Sequence, residues 1–561
     1  MNTAPTSPPL TQTNRLRYRP HPATLLAACA VTLSGALLLH WQSGLTFWRD
    51  EWEYLLHRRS WSIDNFLDPF IEHLVAIPIL IYRVQVALFG MDSPKSFQVV
   101  AVLLFLLSVV LLYVYVQRRA GKWIALAAIL PILFLGPSWD DLLWPFQILF
   151  FGSMSCGIAA LLALERRDRA GDIAATALLT TALLFSDVGI AFVAGVTVEL
   201  ALGRDRFRRA FIVAVPTALF ALWFLIWGHD AADASFISLR NAANLPSYVL
   251  DGLASTMAVL VGLGVPTGAH HQSALEWGRP LLVLALVFAG WRLYRLGPPP
   301  ARLLAVLAAL LGLWSLLALN YNVFAEPTVG RYQYLGVVLL VLVAAELLRG
   351  VPIGRFATAA VLAVAVAAAV ANGLRLSDAT HSLGEIAQQT RGGLAALELS
   401  RDTVDPAFEL TEDNSDVDYL GLVQAGAYLS AADADGSPAY TPSELEAAPE
   451  PARVAADKVF GAALGLRLSP ASPAAERRCG EDPTPPGESA LVVPTDGLIL
   501  RAERSGAQAD LQRYADAYPV SLGPLPRSLP ILLRIPADRS DRPWTLRLRG
   551  VPVIVCAIRA G

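Results

Sequence analysis

The chain has 561 residues, of which 55% are hydrophobic and only 16% are charged, whereas about 25% of the residues in an ordinary soluble domain are charged. Its formal net charge of -3 gives no indication of a nucleic-acid partner. Long Leu/Ala/Val runs fill the chain as far as about Asn372 and then stop. The composition therefore predicts an α-helical, multi-pass membrane protein with a C-terminal part outside the lipid.

The N-terminal segment 1–22 is rich in Pro and Thr, and we expect it to be disordered and cytoplasmic. The apolar run that follows, 23–41, is long enough to cross a membrane, and no small-residue cleavage site comes after it. We therefore interpret it as an uncleaved membrane anchor rather than a signal peptide.

Apolar runs near the length needed to cross ~30 Å of hydrocarbon predict about eleven transmembrane helices within a membrane domain over 23–373. The runs are 23–41, 97–116, 123–136, 148–164, 171–186, 189–203, 210–227, 280–296, 302–319, 333–348 and 356–372.

Two further apolar runs, 74–90 and 248–265, are ambiguous by hydropathy alone. Positively charged connectors favour the cytoplasm, and five short connectors are rich in arginine: 117–122, 165–169, 204–209, 292–302 and 349–355. If these connectors share the cytoplasm with the N-terminus, run 74–90 cannot cross alone. We expect it to be an interfacial helix within a first outer loop, 43–96, and we expect run 248–265 to lie outside or to be re-entrant.

The same topology places the C-terminal part on the extracytoplasmic side of the cell membrane. Segment 374–478 is acidic and has partly helical patterns, whereas 479–561 has short apolar or alternating stretches separated by Pro and Gly. That pattern is typical of a small β-rich domain, so the C-terminal part is expected to be α+β. Cys479 and Cys556 could form a disulfide there, because the compartment is oxidising.

The candidate catalytic side chains all fall on the outer side in this topology, whereas the middles of the predicted spans are almost free of ionisable residues. A transporter would be expected to place charged or broken-helix sites at that depth. Acids beside the outer leaflet favour chemistry on a lipid-linked substrate.

Four short motifs over about 23–350 carry a resemblance to a known family: Asp50-Glu51 after the first span, residues 72–78 with Gly90 closing the surface helix, Asp140-Asp141 in a second acidic loop, and Gly330-Arg331-Tyr332. The pattern resembles the C-type glycosyltransferase superfamily, including protein mannosyltransferases and aminoarabinose transferases. Those multi-span enzymes transfer a sugar from a polyprenyl-phosphate carrier at the outer face of the membrane. The motifs are moderately specific for the superfamily and poorly specific for any one member.

By that resemblance, Asp50 matches the catalytic acid of the first outer loop, with Glu51 as its companion. An acceptor hydroxyl is a poor nucleophile, and an inverting transfer needs a carboxylate opposite the leaving group to accept its proton. We therefore predict that Asp50 is the general base. The alternative is that the pair caps the next helix and solvates the loop.

The second acidic loop has two interpretations. Asp140 and Asp141 match positions where some relatives bind a divalent cation or orient the acceptor; carboxylates suit magnesium or manganese, but two alone are an incomplete coordination set. The flanking Trp139 and Trp144 could stack on a sugar or belong to the interfacial aromatic belt.

The resemblance implies that Arg331 binds the donor phosphate, which a guanidinium can do bidentately. Arg58 and Arg59 are rival phosphate ligands. Glu72-His73 departs from the His-Pro-Pro or Lys-Pro-Pro signature of several subfamilies. His73 therefore either replaces the basic member of that motif or is structural.

The sequence thus predicts an inverting membrane glycosyltransferase that uses a polyprenyl-phosphate-linked sugar and modifies a cell-envelope glycan, lipid or protein. A multi-span transporter or lipid flippase, or a non-catalytic envelope scaffold, is the alternative hypothesis.

Overall fold

A computed structural model gives the structure of the protein. It describes residues 21–229, 238–264, 272–321, 325–415, 417, 423–473, 483–484 and 490–557. Residues 1–20 of the expected N-terminal segment, and Cys479, lie outside these ranges.

The helices in the described ranges are α1 (Pro22–Gln42), α2 (Ile63–Leu67), α3 (Ala76–Phe89), α4 (Lys95–Ala120), α5 (Lys122–Ile129), α6 (Trp139–Leu142), α7 (Ile148–Leu164), α8 (Arg169–Phe185), α9 (Gly189–Ala201), α10 (Phe211–Trp223), α11 (Leu239–Leu260), α12 (Gln272–Leu296), α13 (Ala301–Leu319), α14 (Gly330–Leu348), α15 (Arg355–Leu399), α16 (Glu412–Ser415), α17 (Ala425–Asp435), α18 (Pro442–Ala447) and α19 (Glu450–Ala463). Single π-helical or 3₁₀ turns occupy Glu53–His57, Ile132–Phe134, Gly136–Ser138, Pro145–Gln147 and Phe224–Gly228.

The structure confirms the polytopic helical fold, with a smaller number of full-length spans than expected. Across the described ranges, eight helices are long and apolar enough to cross a membrane, or nine if the bent pair Lys122–Phe134 and Gly136–Leu142 forms one span. The sequence predicts about eleven. Runs 171–186 and 189–203 are helical, but α8 has 17 residues and α9 has 13. At 1.5 Å per residue, α9 extends over only about 20 Å, which is less than the hydrocarbon thickness.

One end of the helix bundle gathers the arginine-rich connectors, which are joined by ion pairs. Arg119 Nη2 lies 2.6 Å from Glu165 Oε1, and the Arg119 guanidinium also binds Glu346 at the end of α14. Arg302 Nε lies 2.7 Å from Glu199 Oε2, which joins α13 to α9. The ends of α4, α7, α9 and α14 and the start of α13 therefore meet at this basic end.

The opposite end carries the acidic motifs. Helix α14 begins at Gly330, beside the second acidic loop, and reaches the basic end at Glu346. With 19 residues, α14 is about 28 Å long, so the two ends are about a membrane thickness apart.

Helix α3 has both ends at the acidic end of the bundle. His73, just before it, contacts Asp187 in the α8–α9 turn, and Met91, just after it, donates its backbone N–H to the Asp435 carbonyl at 2.6 Å. Helix α3 therefore does not cross the bundle, and the interfacial position expected for run 74–90 stays a prediction.

Helix α11 also lies in the acidic half. Asn241, near its start, donates to the Leu319 carbonyl at 3.0 Å, and Thr256, near its end, donates to Gln333 Oε1 at 3.2 Å. Both partners lie at the acidic ends of α13 and α14. The part of α11 between these two contacts therefore stays in the acidic half of the bundle.

Helix α15 is continuous for 45 residues and passes through the expected domain boundary at 373 and 374. The change in composition at that point marks where the surroundings of the helix change, not where the helix ends. Its second half packs on α19, and a Cβ atom at Gly392 would overlap the carbonyl oxygen of Ala452. The close approach of these two helices therefore requires glycine.

The C-terminal region contains two antiparallel sheets built from β1 (Ser469–Pro470), β2 (Pro483–Thr484), β3 (Leu491–Val492), β4 (Leu498–Ala502), β5 (Gln508–Gln512), β6 (Val520–Pro524), β7 (Ile531–Leu533), β8 (Thr545–Arg549) and β9 (Val553–Ala557). The strand orders are β1-β7-β4-β9-β2 and β3-β8-β5-β6, and Ile499 pairs with Cys556. The buried Asp457 carboxylate of α19 accepts the backbone N–H groups of Arg513, Tyr514 and Ala515 at 2.9–3.0 Å, which fastens the strands to the helices.

Cys29 and Cys156 are free thiols, and Cys556 is disulfide-bonded. The expected pairing of Cys556 with Cys479 stays a prediction, because Cys479 lies outside the described residues.

Candidate active site

The acidic pair after α1 points in two directions. Glu51 is completely buried, and its Oε1 accepts the Tyr82 hydroxyl at 2.6 Å. Its Oε2 accepts the Trp48 backbone N–H at 2.9 Å and the Trp144 indole N–H at 3.1 Å. Burial raises the pKa of Glu51 to about 8, against the effect of these three hydrogen bonds. Glu51 therefore ties the first loop to α3 and to the second acidic loop.

Asp50 is only partly buried and is not enclosed as Glu51 is. Burial raises the pKa of Asp50 above its ordinary value, while the positive charges of Arg331 and Arg49 act in the opposite direction. A carboxylate in these surroundings is a stronger proton acceptor than one in water, yet the two arginines favour its ionised form.

Helix α6 is a single turn that carries Asp140 and Asp141 to the start of α14. Ser138 Oγ donates to the Gly330 carbonyl at 2.9 Å, and the Asp140 carboxylate accepts the backbone N–H of Arg331. An acidic group at this position also interacts favourably with the positive end of the α14 dipole. These contacts fix the second acidic loop against the Gly330-Arg331-Tyr332 motif.

Carboxylate oxygens remain available in this loop. Asp140 Oδ1 and both oxygens of Asp141 are buried without a hydrogen-bond partner among the described residues. Buried polar groups in native proteins are normally hydrogen-bonded. Unpartnered acceptors at this position are therefore suited to bind a hydroxyl group or a cation.

Arg331 joins the two acidic motifs. Its positive charge acts on the carboxylates of Asp50, Asp140 and Asp141, and its guanidinium carbon lies 5.1 Å from the centre of the Tyr332 ring. The structure therefore brings acidic residues of the two acidic loops close to the basic residue of the third motif.

His73 and Glu72 reach the edge of this centre and are held by different partners. His73 Nδ1 lies 2.9 Å from Asp187 Oδ2, and both side chains are about one-third exposed (34% and 36%). Burial lowers the pKa of His73, but the Asp187 carboxylate outweighs this effect and raises the pKa overall. Asn320 donates a hydrogen bond to Glu72. Asp187 therefore favours the cationic form of His73, whereas the charge of Arg331 acts against it.

Arg58 and Arg59 bind partners that differ from those of Arg331. Arg58 Nε lies 3.2 Å from Glu53 Oε1, and its Nη2 donates to the Pro69 carbonyl at 2.8 Å, so it folds the first loop. Arg59 Nη2 lies 2.8 Å from Asp435 Oδ2 at the end of α17. These partners of Arg58 and Arg59 all lie outside the second acidic loop.

The two tryptophans of the second acidic loop differ in what they can bind. Trp144 is 4% exposed and stacks on Phe146 with a centroid distance of 4.9 Å, so its ring is packed against other side chains. Trp139 is partly exposed, and the centre of its ring lies 6.0 Å from the centre of the Trp48 ring. Sugar stacking is therefore compatible with Trp139, whereas Trp144 belongs to the aromatic core.

A complete metal site is not found in the described part of the chain, which contains no group of three or more His, Cys, Asp or Glu side chains suited to hold an ion. Asp140 and Asp141 could supply two oxygen ligands. Magnesium sites with one or two protein carboxylates are completed by water and substrate phosphates, so these residues fit a cation only when a phosphate donor is also bound.

Three residues at this centre were given no role from the sequence: Asp187, Tyr82 and Tyr332. Asp187 follows Ser186 at the end of α8, and only its position on the outer side of the predicted topology distinguished it from other loop acids. Tyr82 lies within an apolar run and gave no sequence signal. Tyr332 directly follows Arg331, and its place in the third motif could have identified it.

No protein-family model matches the chain, and no curated protein matches it.

Solved structures give similarities that cover most of the chain. ArnT from Cupriavidus metallidurans bound to undecaprenyl phosphate matches at 15% identity, with a TM-score of 0.43, over 74% of this chain and 89% of that chain. The apo state of the same protein matches at 15% identity, with a TM-score of 0.45, over 73% and 85%. Arabinosyltransferase EmbB from Mycobacterium smegmatis matches at 11% identity, with a TM-score of 0.35, over 98% and 66%.

ArnT, an aminoarabinose transferase, and EmbB both belong to the superfamily that the sequence motifs resemble. At these identities and TM-scores the similarities do not assign a reaction, a donor or catalytic residues to this chain.

Proposed function

We propose that the protein is an inverting glycosyltransferase that moves a sugar from a polyprenyl-phosphate donor to a hydroxyl group of a cell-envelope acceptor. The observation that supports this proposal most strongly is the convergence of Asp50, Asp140 and Arg331 at the acidic end of the bundle. Two outer loops and a spanning helix supply these groups. Together they provide a base, a hydroxyl-binding acid and a phosphate-binding cation.

Asp50 accepts the proton of the acceptor hydroxyl in this reaction. As the acceptor oxygen bonds to the anomeric carbon, the bond from that carbon to the phosphate oxygen breaks, and the polyprenyl phosphate leaves with the electron pair. The partly buried position of Asp50 supports its role, because a raised pKa makes its carboxylate a better base.

Arg331 binds the phosphate of the donor and stabilises the negative charge that develops as the sugar leaves. In its cationic form, which Asp187 favours, His73 adds a second positive charge at the edge of the same centre. Without a donor, the carboxyl groups of Asp140 and Asp50 interact with the positive charge of Arg331.

Asp140 orients the acceptor hydroxyl through Oδ1, which has no partner within the described structure. Its other contact, with the Arg331 backbone N–H, fixes its distance from the phosphate-binding residue. If a magnesium or manganese ion takes part, Asp140 and Asp141 would hold it, and it would neutralise charge on the donor phosphate.

Glu51 acts as a positioning residue in this proposal. In this proposal Glu51 contacts neither the acceptor hydroxyl nor the donor. It fixes the loop that carries Asp50 through Trp48, Tyr82 and Trp144. A base must be held within hydrogen-bond reach of the proton that it accepts.

The distribution of charge favours an enzyme over a transporter. The buried acidic and basic residues of the described chain are Glu51, Arg83, Asp140, Asp141, Glu346, Asp457, Asp510 and Arg513. Those within spanning segments lie near helix ends, whereas a transporter requires such groups near the bilayer midplane. We place the acidic end and the C-terminal domain on the extracytoplasmic face, because the arginine-rich connectors occupy the other end.

The test is to incubate the purified full-length protein with a panel of polyprenyl-phosphate sugars, matched nucleotide sugars and cell-envelope extracts. We expect a single class of polyprenyl-phosphate donor to be consumed, with inversion at the anomeric carbon visible by NMR. Consumption of a nucleotide sugar instead, or retention at the anomeric carbon, would contradict the proposal.

A further inference from the structure

A second cationic site lies on helix α3, away from the centre around Arg331. Arg83 is 8% exposed, and its Nε and Nη1 atoms are buried without a hydrogen-bond partner in the described chain. A buried guanidinium with unpaired donors is costly unless an anion or another acceptor binds it. Arg83 therefore has the character of a binding-site residue.

The charged groups that act on Arg83 are one arginine and one aspartate. Arg59 Nη2 lies 2.8 Å from Asp435 Oδ2, and the charges of both Arg59 and Asp435 act on Arg83. Arg59 Nη1 is also buried without a partner among the described residues. Two guanidinium groups thus share one carboxylate, and their unpaired N–H groups match the oxygens of a phosphate.

Exposed apolar side chains lie near Arg83 in the sequence of the same helix and in the preceding loop. Leu80, Val84 and Leu88 follow one another at four-residue spacing on α3 and are 43%, 39% and 68% exposed. Trp61 is 57% exposed, and its ring centre lies 5.7 Å from the Arg83 guanidinium carbon. A helix that presents an apolar stripe beside cationic side chains and a tryptophan is typical of the membrane interface.

We propose that Arg59 and Arg83 bind the phosphate of a membrane phospholipid whose acyl chains lie along the exposed stripe of α3. The site shares no residue with the Asp50–Arg331 centre, and Arg83 lies about 10 Å along α3 from its first residue, Ala76. The proposal does not depend on the reaction assigned to that centre.

Asp435 competes with the ligand for the two arginines, so the affinity of the site for the ligand depends on this carboxylate. It belongs to α17 and also accepts the Met91 backbone N–H through its carbonyl oxygen. A phosphate that draws Arg59 away from Asp435 would loosen one contact between the first loop and the C-terminal region, while the backbone contact remains.

The test measures lipid binding to full-length protein in detergent micelles doped with phosphatidic acid, with phosphatidylcholine as the reference lipid. We expect phosphatidic acid to raise the melting temperature of the wild type by several degrees more than phosphatidylcholine does. Arg83→Gln should lose this difference. Asp435→Asn should bind phosphatidic acid more tightly than the wild type, since it removes the competing carboxylate.

Arg279→Gln is the matched control, because it also removes one positive charge that pairs with an aspartate, Asp251. It should respond as the wild type does. The proposal is overturned if Arg83→Gln keeps the full response or if Asp435→Asn weakens it. Equal stabilisation by inorganic phosphate at the same concentration would overturn a lipid as the ligand.

Discussion

The Tyr82 hydroxyl donates a 2.6 Å hydrogen bond to Glu51 Oε1, and this contact joins helix α3 to the loop that carries Asp50. Glu51 is fully buried there, and burial raises its pKa from 4.5 to about 8. These two adjacent carboxyl groups therefore have different surroundings: Glu51 is enclosed among aromatic side chains, whereas Asp50 interacts with the charge of Arg331.

The raised pKa of Glu51 predicts that the protein loses stability as pH rises from about 5 to 8. Between the unfolded value of 4.5 and the folded value of about 8, the folded state holds a proton that the unfolded chain has released. Stability therefore falls with pH across this window. The glutamine side chain of Glu51→Gln cannot ionise. Over this pH range the melting temperature of this variant should therefore fall by several degrees less than that of the wild type.

Exposed Glu276 supplies the control for this experiment, since Glu276→Gln removes a carboxyl group that is not enclosed. Its melting profile should follow that of the wild type. A Glu51→Gln profile with the same slope as the wild type would show that Glu51 does not hold its proton in the folded state.

Arg331 should be sensitive to the geometry of its cation as well as to its charge. We predict that Arg331→Gln lowers kcat by about 10²–10³-fold, the typical effect of removing a group that stabilises developing negative charge. Arg331→Lys should retain more activity but not all of it, because an ammonium group cannot bind phosphate bidentately. Equal activity of the lysine and glutamine variants would contradict a phosphate-binding role.

His73 should make donor binding dependent on pH. Because Asp187 raises the pKa of His73, the cationic form is fully present below the unfolded value of 6.5 and is lost as pH rises through the folded value. Donor affinity should therefore fall as pH rises through that value. In Asp187→Asn the fall should move to lower pH, as measured by donor titration from pH 5 to 9.

His73→Gln should bind the donor without this pH step. A step that persists in His73→Gln would mean that another group titrates, and His73 would then be structural.

The two-carboxylate loop predicts how a metal ion would bind. Because Asp140 and Asp141 supply too few ligands alone, Mn²⁺ should bind measurably only when the phosphate donor is present, and Asp140→Asn should abolish that binding. Electron paramagnetic resonance titration of Mn²⁺ with and without donor measures this. Tight Mn²⁺ binding to the donor-free protein would contradict the expectation.

The sequence predicted the helical membrane domain, the strand-rich C-terminal region and the gathering of the acidic motifs, because hydropathy and arginine placement determine which helix ends lie together. Helix lengths were less predictable. Run 189–203 is apolar enough to suggest a span, but α9 has only 13 helical residues. Composition indicates how apolar a segment is, but it does not indicate where a helix ends and a turn begins.

Contacts between distant segments could not be predicted from spacing. Nothing in the sequence pairs His73 with Asp187 or Arg59 with Asp435, because each pair joins separate loops whose positions depend on packing of the whole bundle. For the same reason Arg83 was not among the candidate residues. Its unpaired donors became visible only when α3 and α17 were placed side by side.

The most direct test of the proposed reaction is a single-turnover measurement on Asp50→Asn with the polyprenyl-phosphate donor already bound. We predict that this variant binds the donor as the wild type does and transfers the sugar about 10²–10⁴-fold more slowly, since only the proton acceptor is lost. Transfer at the wild-type rate by a variant that binds the donor normally would show that Asp50 is not the base.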